Sequence, residues 1–417
     1  MVATLIGNAI RRLAEVMGAV DMRLAIIASH PIQYHAPLFR ELARQIDLTV
    51  FFAHRATPAD QANAGFGVGF DWDVDLLSGY EHVFPRNVAR KPSLEHFTGC
   101  DTPDLGRRLA EGHFDAVLVM GWYLKSFIQA LLVAKLQGLP IMARGDSHLQ
   151  TPRGAMKKVA KAFAYPRFLR LFDAALYVGE RSGAYWRHYR YSSTRLFFSP
   201  HCVDAEWFAQ RATPEARAAL RARLGIAPDR RVVLFAGKLV PFKRPLDLIT
   251  AVSQLKSRGP ETEVLVAGSG PLRPEIERAA TAADVPCHML GFCNQSEMPA
   301  IYAASDVLVL PSVRETWGLV ANEALACGRP IVVSDAVGCA PDLAADGSVG
   351  RVYPMGDIAA LARALHDVLL HPPIYEAISV RSARYSIAVA VEGILRATEF
   401  VVQQRARRGE PTFRGSR

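Results

Sequence analysis

No run of eighteen apolar residues occurs in the 417-residue chain, which excludes an apolar helix spanning a bilayer. Cysteine is sparse: Cys100, Cys202, Cys287, Cys293, Cys327 and Cys339 form no Cys-x-x-Cys pair and no zinc-ligand spacing. That excludes a disulfide framework and a zinc module, and reads as reduced, mostly buried thiols of a cytoplasmic protein. No cleavable signal peptide is read at the start. No DNA- or RNA-binding motif accompanies the positive balance, so nucleic acid is not an expected partner. What is present is a half-hydrophobic composition. At this length it suffices for two domains with cores of their own.

The net charge of +9 is unevenly spread. Ten basic residues fall between Arg153 and Arg195, opposed by Asp173 and Glu180, an excess of eight. Within that stretch Met156–Phe163 and Phe168–Phe172 mix basic and apolar residues at helical spacing. Such a pattern suits an anionic membrane surface, and a solvated basic face is the other reading.

From Arg23 onward apolar runs alternate with helical patterns. Strands are expected at Leu24–Ala28, Leu48–Ala53, Asp115–Met120, Pro140–Ala143, Ala174–Val178 and Arg195–Phe198. After a connection containing a helix at Pro214–Leu224, the alternation restarts at Val232–Ala236, Glu263–Ala267, Cys287–Leu290, Asp306–Leu310 and Pro330–Val333. The expected class is α/β, two doubly wound parallel sheets facing a cleft. The expected division is an extension at 1–21, a first domain at 22–204, a second at 205–385, a helix at 386–402, and a disordered basic tail at 403–417.

The chemistry concentrates in Pro311–Pro330. Glu315 and Glu323 lie eight positions apart, flanking Gly318, which opens an apolar helical run ending at Gly328. On one helix they would stand roughly 12 Å apart along the axis. Ionised carboxylates accept hydrogen bonds from paired hydroxyls, and a helix N-terminus seats a diphosphate. The segment reads as a nucleotide-sugar site. A second signal is Phe235–Arg244, in which a strand ends at Gly237 and Lys238 and Lys243 follow, cations suited to charge developing on a leaving diphosphate. Ala267-Gly268-Ser269-Gly270 is another strand-end turn.

In the first half, Ser29–His35 follows the first strand without a glycine, leaving His30, Gln33 and His35 to face a cleft. Trp122 and Tyr123 end another strand and could stack on a sugar. Asp146 and His148 end a third, and spacing does not choose between them as acceptor of a proton. Asp71, Asp73 and Asp75 alternate with Trp72 and Val74, which reads as a strand with one wet face, far from the nucleotide signature, rather than as a metal site.

Taken together, Glu315–Glu323 and Lys243 resemble the signature of retaining GT-B glycosyltransferases of family four (glycosyltransferase group 1). The likeness covers most of the chain from Met22 and is strongest from about Val232 to Asp357. It implies that Glu315 meets the transferred sugar, Glu323 the ribose hydroxyls, and the N–H groups near Gly318 and Leu319 the phosphates. Lys238 stands where the family has arginine, giving a point charge in place of a fork. Trp317 stands where the family has phenylalanine, leaving sugar preference open. Gly268 and Phe292 fall at the family's base-binding wall, and Asp146 and His148 near its anomeric carbon. The activity implied is transfer of a sugar from a nucleotide-diphosphate donor, with retention, to a glycan or lipid-linked acceptor. No cofactor or metal is expected. A nucleotide-sugar 2-epimerase and a non-catalytic membrane-surface protein are the alternatives.

Overall fold

The computed structural model describes residues 22–409 apart from 59–61, 63–66, 151–153 and 257–258. The expected extension at 1–21, Arg153 and the last eight residues lie outside the described residues.

Strands whose residues are apolar on both faces belong between two helical layers, and that is where they lie. The first sheet holds β1 (Arg23–Ala28), β2 (Asp47–Phe52), β3 (Glu81–Val83), β4 (Ala116–Val119), β5 (Ile141–Gly145), β6 (Ala174–Tyr177) and β7 (Leu196–Phe198). The second holds β8 (Arg231–Ala236), β9 (Thr262–Ala267), β10 (Cys287–Gly291), β11 (Val307–Leu310), β12 (Ile331–Ser334) and β13 (Gly350–Tyr353). Their orders are β3-β2-β1-β4-β5-β6-β7 and β10-β9-β8-β11-β12-β13, and every pairing is parallel. The expected α/β class of two doubly wound sheets is what the chain forms. The edge strands β3 and β13 are not among the expected strands.

Each sheet switches direction once, between β1 and β4 and between β8 and β11. Such switch points open crevices at the carboxyl ends of the strands. Apolar clusters fill both faces of the first sheet and one face of the second. The remaining cluster runs through the junction, joining Val178 and Val203 to Trp317, Val337 and Tyr385.

Polar contacts anchor the connection at both of its ends. The buried Arg144 donates to the carbonyls of Ser199 and Pro200 at 3.2 and 2.7 Å, pinning the start of the connection. At the far end of the second sheet, Asp306 accepts from Arg217, Arg221 and the Val232 N–H, each at 2.8 Å.

The last helix, Ile387–Arg407, returns to the first domain. Val391, Ile394, Ala397 and Val401 pack with Leu24, Ile26 and Phe39, and Ser199 Oγ donates to the Ala390 carbonyl at 2.9 Å. It runs through Arg407, so residues 403–407 are helical rather than part of a disordered tail. Its apolar stripe continues to Val401, and the following turn propagates on hydrogen bonds already formed.

Candidate active site

Two glycine turns build the floor of the cleft. β8 ends at Ala236 and turns at Gly237 (φ 148°) into Lys238, while β9 ends at Ala267 and turns at Gly268 (φ 158°). A Cβ on Gly268 would stand 1.8 Å from the Gly237 carbonyl oxygen, so these loops meet only through glycine. β11 leads through Glu315 to Gly318, the N-cap of the helix Leu319–Ala326. The Leu319 and Val320 N–H groups precede the first bond of that turn, which Ala321 donates to the Gly318 carbonyl at 2.9 Å, and they suit an anion.

Because the helix starts at Leu319, Glu315 sits on the loop before it and Glu323 on its second turn. The expected separation along one axis therefore does not apply. Gly318 adopts a left-handed φ of 100°, which bends the chain between the two carboxylates.

A cleft of about 440 Å³ lies between the halves. Of the sequence-predicted residues it brings together Gly237, Lys238, Lys243, Gly268, Phe292, Glu315, Trp317, Gly318, Leu319 and Glu323 from the second half, and Gln33 and Asp146 from the first. The ammonium of Lys243 pairs with the Glu315 carboxylate. Burial and the neighbouring Lys238 push Lys243 down to about 8, and burial also lowers Lys238. Burial raises Glu323 to about 7, partly opposed by the Tyr302 hydroxyl that donates to it at 2.6 Å. The cleft thus holds two cations beside a helix N-terminus and three carboxylates, Asp146, Glu315 and Glu323, the last raised toward neutrality.

Asp146 lies 3.9 Å from His201 Nε2. Burial works to raise its carboxyl, but the nearby His201, its own backbone and Thr316 prevail and hold it low. His148 is separated from it: this buried side chain lines a neighbouring cavity with Gln150, Phe242, Arg314, Glu315 and Asp335. Phe242, Glu315 and Thr316 line both spaces and separate them.

Trp317 is 4% exposed and wedged at the junction. Its Nε1 donates to Asn322 Oδ1 at 2.8 Å, and Asn322 Nδ2 donates to the His201 carbonyl at 3.3 Å. Gly179 makes room for it, since a Cβ there would stand 2.3 Å from Trp317 Cζ3. Beside it Asp342 accepts from the Glu180 N–H at 2.9 Å, capping a first-domain helix from the second domain.

Several expectations are corrected. Trp122 does not face the cleft: it stacks on Tyr185 and abuts Phe172 and Trp186, because the first domain's core is rich in aromatics. His35 is buried beneath the cleft against Tyr34 and Phe39, and both ring nitrogens lack a protein partner. Burial and Arg144 hold it neutral. His30 binds Ser29 Oγ through Nδ1 at 3.0 Å, and the exposed Tyr123 stands outside the cleft lining.

The Asp71–Asp75 run is neither a strand nor remote. Its residues cross the cleft as a loop: Asp73 accepts from the Ser296 N–H at 3.2 Å, and Asn294 donates to the Asp71 carbonyl at 2.8 Å. Asp75 accepts from the Leu77 and Ser78 N–H groups in a turn. Trp72 lines the cleft. Alternation alone could not show this, because a loop braced by the opposite domain has the same spacing.

Tyr34, Trp72 and His201 are cleft residues that sequence reasoning missed. His201 follows β7, and its place at a strand's carboxyl end was the available signal. Trp72 carried none.

Two parallel doubly wound sheets with a cleft of lysines and carboxylates between their carboxyl edges define a protein of the GT-B fold. HepE of Anabaena, solved in complex with UDP, superposes with a TM-score of 0.69 at 17% identity, covering 91% of this chain and all of that one. Residues 216–384 match the family described as Glycosyl transferases group 1. It is 35% identical over 183 residues to the D-inositol 3-phosphate glycosyltransferase of Streptomyces bingchenggensis, covering 41% of this chain and 40% of that protein. It is 33% identical over 204 residues to a GDP-mannose-dependent phosphatidylinositol monomannoside mannosyltransferase of Mycolicibacterium smegmatis, covering 47% and 52%. The chain thus matches about half the length of these curated relatives.

Proposed function

We propose that the protein transfers a sugar, with retention, from a nucleotide-diphosphate donor to a glycan or lipid-linked acceptor. The observation that carries this reading is the Lys243–Glu315 pair beside the Leu319 helix N-terminus, with Glu323 inside the same cleft. A diphosphate placed there takes Lys243, frees Glu315 for the sugar, and meets Lys238 and helix N–H groups. The same cations answer the charge that grows on the leaving diphosphate. Glu323, when ionised, accepts the ribose hydroxyls.

The acceptor enters from the first half. Asp146, held ionised beside His201, is positioned to accept the proton of its hydroxyl, and His148 lies across Glu315 in the adjoining cavity. The relatives named for D-inositol 3-phosphate and phosphatidylinositol monomannoside are consistent with phosphorylated or lipid-linked acceptors.

A membrane surface is the proposed place of encounter. On the helix Ala155–Leu169, Met156, Val159 and Phe163 are exposed at i, i+3 and i+7, an apolar stripe facing outward. Lysines and arginines of the same segment suit anionic headgroups. Lys161 is not among them, since its ammonium lies 4.0 Å from the centre of the Tyr165 ring.

The test is a panel of nucleotide sugars assayed by thermal shift and by transfer, with and without EDTA. One donor class should raise the melting temperature and yield a product of retained configuration, with EDTA without effect. Failure of every nucleoside diphosphate to bind would overturn the donor reading. Activity lost in EDTA and restored by Mn²⁺ would overturn the metal-free mechanism.

A further inference from the structure

The cleft is closed at one end by a segment that its chemistry alone does not call for. Phe70 of the first domain lies on Phe292 of the second, ring centroids 4.2 Å apart and tilted by 37°. Trp72 meets Phe70 edge-on at 5.0 Å and lines the cleft beside Phe292, Gln295 and Met298. Asp73 receives both the N–H and the hydroxyl of Ser296.

The position along the sheet says what this end contains. Lys238 and Lys243 follow β8 and the helix bearing Glu323 follows β11, so the diphosphate seat is at the β8–β11 switch point. Glu315 closes the side toward β12 through its bridge to Val337. Phe292 follows β10, at the opposite edge. A donor with its sugar at Glu315 therefore extends its nucleoside toward Phe292 and Trp72. Aromatic faces bind a base by stacking and offer nothing to a phosphate, and the sugar already lies at Glu315, away from this edge.

We propose that Trp72 is a nucleobase-contacting residue supplied by the first domain, and that the Asp73–Ser296 contact latches it over the donor. The proposal rests on the reading of the cleft as a donor site. Trp72 touches the bound nucleotide, whereas Asp73 is a positioning residue that acts through the loop. Release of the nucleotide requires the latch to open.

The experiment measures binding of UDP, GDP, ADP and inorganic pyrophosphate by calorimetry and stopped flow. Wild-type protein should prefer one nucleoside diphosphate. Trp72→Ala and Trp72→Leu should weaken it by about tenfold or more, Trp72→Phe by no more than about threefold, and none should alter pyrophosphate affinity. Asp73→Asn should speed nucleotide dissociation and leave pyrophosphate dissociation unchanged.

Unchanged nucleotide affinity in Trp72→Leu, alongside loss in Lys243→Ala, would overturn the proposal and leave the donor site standing. An equal loss of nucleotide and pyrophosphate would also overturn it, marking Trp72 as structural. No binding of any nucleoside diphosphate by wild-type protein would remove the donor reading itself.

Discussion

Two cleft charges, Glu323 at the proposed ribose seat and Lys243 at the proposed phosphate seat, are shifted toward neutrality from opposite sides. Glu323 has its pKa raised to about 7, so below that pH it carries a proton and loses its strength as an acceptor. Lys243 is lowered to about 8, so above that pH it loses the charge that holds phosphate. The expected outcome is a bell-shaped kcat/KM with its optimum between these values, which reports groups of the free enzyme. Glu323→Gln should flatten the acid limb and Lys243→Met remove the alkaline one. Glu323→Ala should also cost about 1.5–3 kcal/mol of donor binding, the worth of a charged hydrogen bond. A profile unaltered by either substitution would place the titrating groups elsewhere.

Two helices show how much an element's neighbours decide. Gly393, in the last helix, lies against β7, and a Cβ there would stand 1.9 Å from the Phe198 carbonyl oxygen. Backbone cannot swing aside as a side chain does. Gly393→Ala should therefore destabilise by about 1–3 kcal/mol through overpacking, read as a lower denaturation midpoint with an unchanged slope. A midpoint equal to wild type would show that the helix can slide. The helix Ala155–Leu169 has the opposite character, with Met156, Val159 and Phe163 packed against nothing described. Replacing all three by serine should abolish binding to anionic vesicles while leaving donor binding intact. Equal partitioning of wild-type protein to neutral and anionic vesicles would sink the membrane role.

Across the whole molecule, the junction is held by a few contacts around Trp317. Gly179 has an extended backbone, so alanine there would meet no conformational penalty of its own. Its Cβ would nevertheless press on Trp317 and stand 2.8 Å from Asp342 Oδ1. Gly179→Ala should push the halves apart, seen as an increased radius of gyration in solution scattering, and weaken donor binding more than folding stability. Unchanged scattering and donor affinity would show that Trp317 can repack in place.

What the sequence determined by itself is local. Continuous apolar runs reported strands buried on both faces, and their alternation with helical patterns specified a parallel sheet. Gly237, Gly268 and Gly318 marked turns because each takes a positive φ that larger residues rarely adopt, and the spacing of Glu315, Glu323 and Lys243 placed the charged groups near one sheet edge. Tertiary structure decided what those groups face. Nothing in the spacing pairs Lys243 with Glu315, turns Trp122 into the core, buries Trp317 between domains, or carries Trp72 across to Phe292. Periodicity records which face of its own element a residue occupies. A partner across the cleft is set by chain far away in sequence, as Asp71 and Asn294 are, and by the packing that fixes how the two halves meet.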